Sequence, residues 1–104
     1  METKHKNRCL LEATVDLLAK ELAADNKDPF TRSYLEKRLS EIRSYLADDS
    51  KEISRDELRS TKNIVSNLSY AIDQNAAYDD HAAQFYKAVI GDLKDELESA
   101  CEDR

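Results

Sequence analysis

The chain has 104 residues, 40% of them hydrophobic and 37% charged, with a formal net charge of −6 at pH 7. One glycine and one proline exclude a fold built on tight β-turns, which draw on both residues, and leave nothing from which a glycine-rich phosphate loop could be made. The acidic excess lies in residues 63–104, which carry nine acids against three bases; this argues against sequence-independent nucleic-acid binding, which depends on a basic footprint.

The length suits one domain, so residues 1–104 are read as a single helical-bundle domain. No run of about 18 apolar residues is present, and no membrane-spanning helix or membrane partner is expected. The polar start, Met1 to Arg8, leads directly into an amphipathic segment and lacks the apolar stretch of a secretion signal. Two cysteines are fewer than a disulfide-stapled secreted domain of this size carries, so cytoplasmic residence is the expectation.

Four segments place apolar residues at helical spacing. The first, about 5–25, holds Leu11, Val15, Leu18 and Leu22. The second, about 29–47, holds Leu35, Leu39, Ile42 and Leu46, and Asp28-Pro29 reads as an N-cap followed by proline at the first helical position. The third, about 55–74, holds Leu58, Thr61, Val65, Leu68 and Ile72. Ser54 and Glu57 form the S-x-x-E capping box that opens it, flanked by Ile53 and Leu58 at the positions of a hydrophobic staple. The fourth, about 80–101, holds Ala82, Phe85, Tyr86, Val89, Leu93, Leu97 and Ala100, with Asp79-Asp80 available as a cap. No glycine or proline forces a break after Ile72, so partial continuity between the third and fourth helices stays open. Short connections between helices of similar length predict an all-α fold, a small antiparallel up-down bundle of about four helices.

Residues 46–57 briefly match a calcium loop, but Leu46 stands where its first carboxylate is required and Lys51 where its turn needs glycine. The two histidines and two cysteines equal the inventory of one zinc site. His5 and Cys9 share a helical face, and Cys101 belongs to the adjacent end of an antiparallel bundle, whereas His81 falls at the opposite end. No metal, cofactor, small-molecule substrate or catalytic residue is therefore expected, and the protein is read as non-enzymatic. Arg55, Arg59 and Lys62 form a basic stripe on the third helix, which carries the alternative reading of a DNA-associated transcriptional regulator. Asp56, Glu57 and Asp73 interrupt that stripe, and the preceding connection is long for a helix-turn-helix.

Two further stripes either flank and widen the core, with the tyrosine hydroxyls reaching water, or mark a surface for a partner. Leu10 and Leu17 widen the apolar arc of the first helix beyond what a corner helix needs. Tyr34, Arg38, Glu41 and Tyr45 form an aromatic and charged line beside the main face of the second, in residue types enriched at interface hot spots. The expected role is that of a small regulatory or interaction protein that binds a protein partner or a second copy of itself through Leu10, Leu17, Tyr34, Arg38 and Tyr45.

Overall fold

A computed structural model describes residues 2–24, 29–74 and 80–102. They form four α-helices, α1 (Glu2–Ala23), α2 (Pro29–Leu46), α3 (Arg55–Asp73) and α4 (His81–Glu102), with no strand among the described residues. The protein is a small all-α bundle. Pro29 is the first residue of α2, as its fixed φ and missing N–H favour. Asp28 and Asp79 lie outside the described residues, and so does the side chain of Ala82. Asp80 caps α4: its Oδ1 accepts from the backbone N–H of Ala83 at 2.9 Å.

The entry to α3 follows the sequence closely. Ser54 Oγ accepts from Glu57 N–H at 3.1 Å, and Glu57 Oε1 accepts from Ser54 N–H at 2.9 Å. Two amides that a helix start leaves without partners are satisfied reciprocally. Ile53 and Leu58 are both buried beneath the box.

Helix direction follows from contacts at the ends. Arg8, early in α1, donates to Leu46 O at the end of α2, and Arg32, early in α2, donates to Leu22 O near the end of α1. These two helices are antiparallel. Tyr86, early in α4, donates to the Glu21 carboxylate late in α1, so α1 and α4 are antiparallel as well. Arg8 also reaches the loop that leads into α3, which sets α3 running with α1. The course is up-down-up-down.

The bundle is flattened, with extents of 41 × 25 × 17 Å. Helices α1 and α3 each pack against all three others, whereas α2 and α4 make no extended contact with each other. In cross-section α1 and α3 form the inner pair and α2 and α4 the outer pair. The buried side chains form one contiguous cluster that draws on all four helices, centred on Leu11, Leu18, Ile42, Val65, Ile90 and Leu97. Thr14 and Thr61 are buried within the inner helices, and each donates its hydroxyl to the carbonyl four residues back, Leu10 O at 2.9 Å and Glu57 O at 2.8 Å. Back-bonding of this kind removes the penalty of a buried hydroxyl.

For Leu10 and Leu17 this arrangement matches the core-widening alternative and corrects their assignment to a partner surface. Leu10 and Leu17 are 6% and 8% exposed and belong to the core cluster. Helical spacing gives the width of an apolar arc but not the number of neighbours that cover it. Because α1 has three neighbours, it needs the wide arc that Leu10 and Leu17 supply. The face of α4 is corrected too. Its buried residues are Ala83, Ile90, Leu93 and Leu97, and Phe85 and Val89 lie outside the core at 76% and 47% exposure. The helix is rotated toward Ala83 and Ile90, so the opposite edge of its apolar arc faces outward.

Candidate functional site

The rotation of α4 opens a groove of about 580 Å³ between α1 and α4. Its floor is made by Leu17 of α1 and Tyr86, Ile90 and Leu93 of α4, and Phe85 and Val89 stand along the α4 rim. Phe85 and Val89 are four residues apart, hence on one helical face, and are two of the large apolar side chains that stay exposed. The described α4 segment of the groove runs from Phe85 to Glu96; at a rise of about 1.5 Å per residue it is roughly 16 Å long, or three turns.

The two ends of the groove differ in charge. At the Leu93 end Asp16 stands on the α1 wall and Asp92 and Glu96 on the α4 wall, all three exposed. At the Phe85 end the ammonium of Lys20 lies 4.8 Å from the centroid of the Tyr86 ring, and the Tyr86 hydroxyl donates to Glu21. Glu21 is a carboxylate buried to 3% exposure in the middle of the apolar arc of α1. A buried carboxylate needs a donor, and Tyr86 reaches across from α4 to supply one. The Lys20–Tyr86–Glu21 set therefore ties the two walls together at one end. It is a positioning device, and it leaves Phe85 and Val89 uncovered.

The sequence-derived surface does not assemble into one exposed patch. Leu10 and Leu17 are buried, and Tyr34, Arg38 and Tyr45 are half-buried on α2, where both tyrosines pack against the core. Arg38 is engaged within its own helix: its guanidinium lies 5.1 Å from the Tyr34 ring centroid, and Nη1 donates to Glu41. Arg38 Nε is buried with no hydrogen-bond partner among the described residues. Leu17 alone of the five expected residues lines the groove. Sequence reasoning missed Phe85 and Val89 as surface residues because they fall at proper helical spacing with Leu93 and Leu97. The available signal was Ile90, an apolar residue that a face centred on Phe85 and Val89 leaves out.

The other constellations resolve into structural roles. His5 Nε2 and Cys9 Sγ lie 3.6 Å apart on one face of α1, as their spacing predicts. Cys101 is half-buried against the core, and both cysteines are free thiols. Among the described residues no group of three or more His, Cys, Asp or Glu side chains is placed to hold a metal ion. The loop that resembles a calcium site is organised by Arg8. Its Nη2 donates to Leu46 O at 2.7 Å and lies 3.2 Å from Asp49 Oδ1, and Nη1 donates to Asp48 O at 3.2 Å and Lys51 O at 3.4 Å. The guanidinium thus meets the Leu46 carbonyl at the C-terminus of α2, where the helix dipole favours a cation, together with two carbonyls of the loop that follows. Asp48 accepts from the hydroxyl and the N–H of Ser50 at 2.7 and 3.0 Å, and these bonds hold its carboxyl below the ordinary aspartate range. Burial alone raises Glu57, but the Ser54 N–H, Lys51 at 3.2 Å and the Ser54 hydroxyl outweigh it and set the carboxyl below its ordinary value. On α3, Arg55 and Arg59 are exposed and Lys62 half-buried, and Arg59 Nη1 lies 3.8 Å from Asp56 Oδ1.

Comparison with protein-family models, with curated proteins and with solved structures finds no match. No described helix is long and apolar enough to cross a membrane.

Proposed function

We propose that the protein is a non-enzymatic interaction module that binds a protein partner through the α1/α4 groove. The observation that carries this reading is the exposure of Phe85 and Val89 beside an apolar floor; Phe30 and Tyr70 are exposed as well but do not line this groove. A phenylalanine and a valine four residues apart leave an apolar rim in water, and such a rim is covered favourably by another apolar surface. The groove also has the features of a helix-accepting site: two walls, an apolar floor and a polar margin. A regulatory role fits a small module of this kind, and a cytoplasmic setting fits its free thiols.

The test is affinity capture from native lysate with the wild-type chain and with Phe85→Asp, alongside the solution mass of each. Proteins retained by the wild type and lost by the variant support the groove as the binding site. Equal recovery by both places the site elsewhere. Recovery of DNA, or turnover of a substrate library by the purified chain, overturns the reading.

A further inference from the structure

We infer that the occupant of the groove is a three-turn amphipathic helix whose cationic residues lie at one end. The inference rests on the groove being the binding site and adds the chemistry of what it takes. Three observations combine. The groove runs between two helices, and its α4 wall is about three turns long. A helix of that length presents apolar side chains at i, i+3 or i+4, and i+7, and an i, i+4 pair matches the one-turn spacing of Phe85 and Val89 on the rim. Asp16 faces Asp92 and Glu96 across the Leu93 end, so a lysine or arginine laid there meets carboxylates from both walls. The Phe85 end carries Lys20 and no acid among the exposed groove residues, so a cation on the occupant is disfavoured there.

Charge also separates this occupant from a second copy of the chain. The groove lining carries three exposed acids and one lysine, and the whole chain carries a net charge of −6. A second copy brings the same excess to the contact, and like charges across an interface oppose association. A helix with basic residues at one end relieves that excess.

The test uses the full-length chain and three synthetic fluorescent peptides in an anisotropy titration at low and high salt. All three share length and composition of uncharged residues. One has the apolar stripe with lysines at one end, one has the same stripe with glutamates at those positions, and one has the lysines with a scrambled stripe. The basic striped peptide is expected to bind about tenfold or more tighter than the other two, with the margin over the acidic peptide shrinking as salt rises. The double charge reversal Asp92→Lys with Glu96→Lys is expected to remove that margin. Both positions are exposed, and circular dichroism checks that helicity is kept. Equal binding of the basic and acidic peptides, lost in Phe85→Asp, overturns the charge inference and leaves the groove as a binding site. Binding unaffected by Phe85→Asp, or no binding by any peptide, overturns both. A wild-type dimer by sedimentation that Phe85→Asp converts to monomer makes the occupant a second copy and overturns the basic-helix inference.

Discussion

Helices α3 and α4 carry apolar residues at the same kind of spacing, yet they use them differently. On α3, Leu58, Thr61, Ile64, Val65, Leu68 and Ile72 are all buried, because α3 is an inner helix with neighbours on three sides. On α4, an outer helix, Ile90, Leu93 and Leu97 are buried while Phe85 and Val89 face outward. An inner helix can cover a wide apolar arc with its own chain. An outer helix of the same pattern has one edge left over, and the core decides which edge by where it fits best. In α4 the burial of Ile90, 1% exposed, goes with the outward turn of Phe85 and Val89, and the groove lies between that rim and the floor to which Ile90 belongs.

The comparison is broken most decisively by a cavity in the shared core. Leu97→Ala removes a side chain with no exposed surface and is expected to lower stability by about 2–5 kcal/mol in urea denaturation. Next comes Leu17→Glu, which puts a carboxylate into a buried position on inner helix α1. Loss of the leucine contacts together with desolvation is expected to cost about 2–3 kcal/mol; a fully stable variant would place Leu17 on the surface. At the entry to α3, Ser54→Ala removes the cap and is expected to lower stability by about 0.5–2 kcal/mol, read from the denaturation midpoint.

The pH dependence of that same cap sharpens the picture. Because the folded state holds the Glu57 carboxyl below its ordinary value, its contribution is complete above the unfolded value and is lost as pH falls through the folded one. Glu57→Gln keeps a hydrogen-bonding side chain without the titration. The stability advantage of the wild type over this variant should therefore be present at neutral pH and fade through the acid carboxylate range, as followed by thermal melts at stepped pH. The smallest effect is expected on the outer edge of α4. Phe85→Ser should change stability by no more than about 0.5 kcal/mol, and a loss as large as that of Leu97→Ala would show that the phenylalanine is part of the core.

The helices and the caps at Ser54 and Asp80 were legible because both are local. Periodicity within about twenty residues defines each helix, and the Ser54–Glu57 box needs only four positions to read. The identity of the inner helices was not legible, since it depends on which faces meet after folding. That is why Leu10 and Leu17 read as surplus, although α1 buries them against its neighbours, and why Phe85 and Val89 read as core. The arginine caps were hidden for the same reason: Arg8 and Leu46 are 38 residues apart. Only Leu17 links the surface expected from the sequence to the groove found in the fold.

The exchange of arginines between α1 and α2 has a consequence for helix length. Arg8 reads the end of α2 at Leu46, and Arg32 reads the end of α1 at Leu22. Each guanidinium is fixed near the start of one helix and each carbonyl near the end of the other, so the pair works as a two-ended gauge. Sliding one helix along the other by a single turn, about 5.4 Å, breaks both bonds together, and no compensating slide restores one without losing the other. An added residue in the connection between the helices leaves the gauge untouched, whereas an added residue inside either helix throws it out of register. Insertions should therefore be sorted sharply by position along this hairpin, tolerated between Ala24 and Pro29 and rejected between Arg8 and Leu22 or between Arg32 and Leu46.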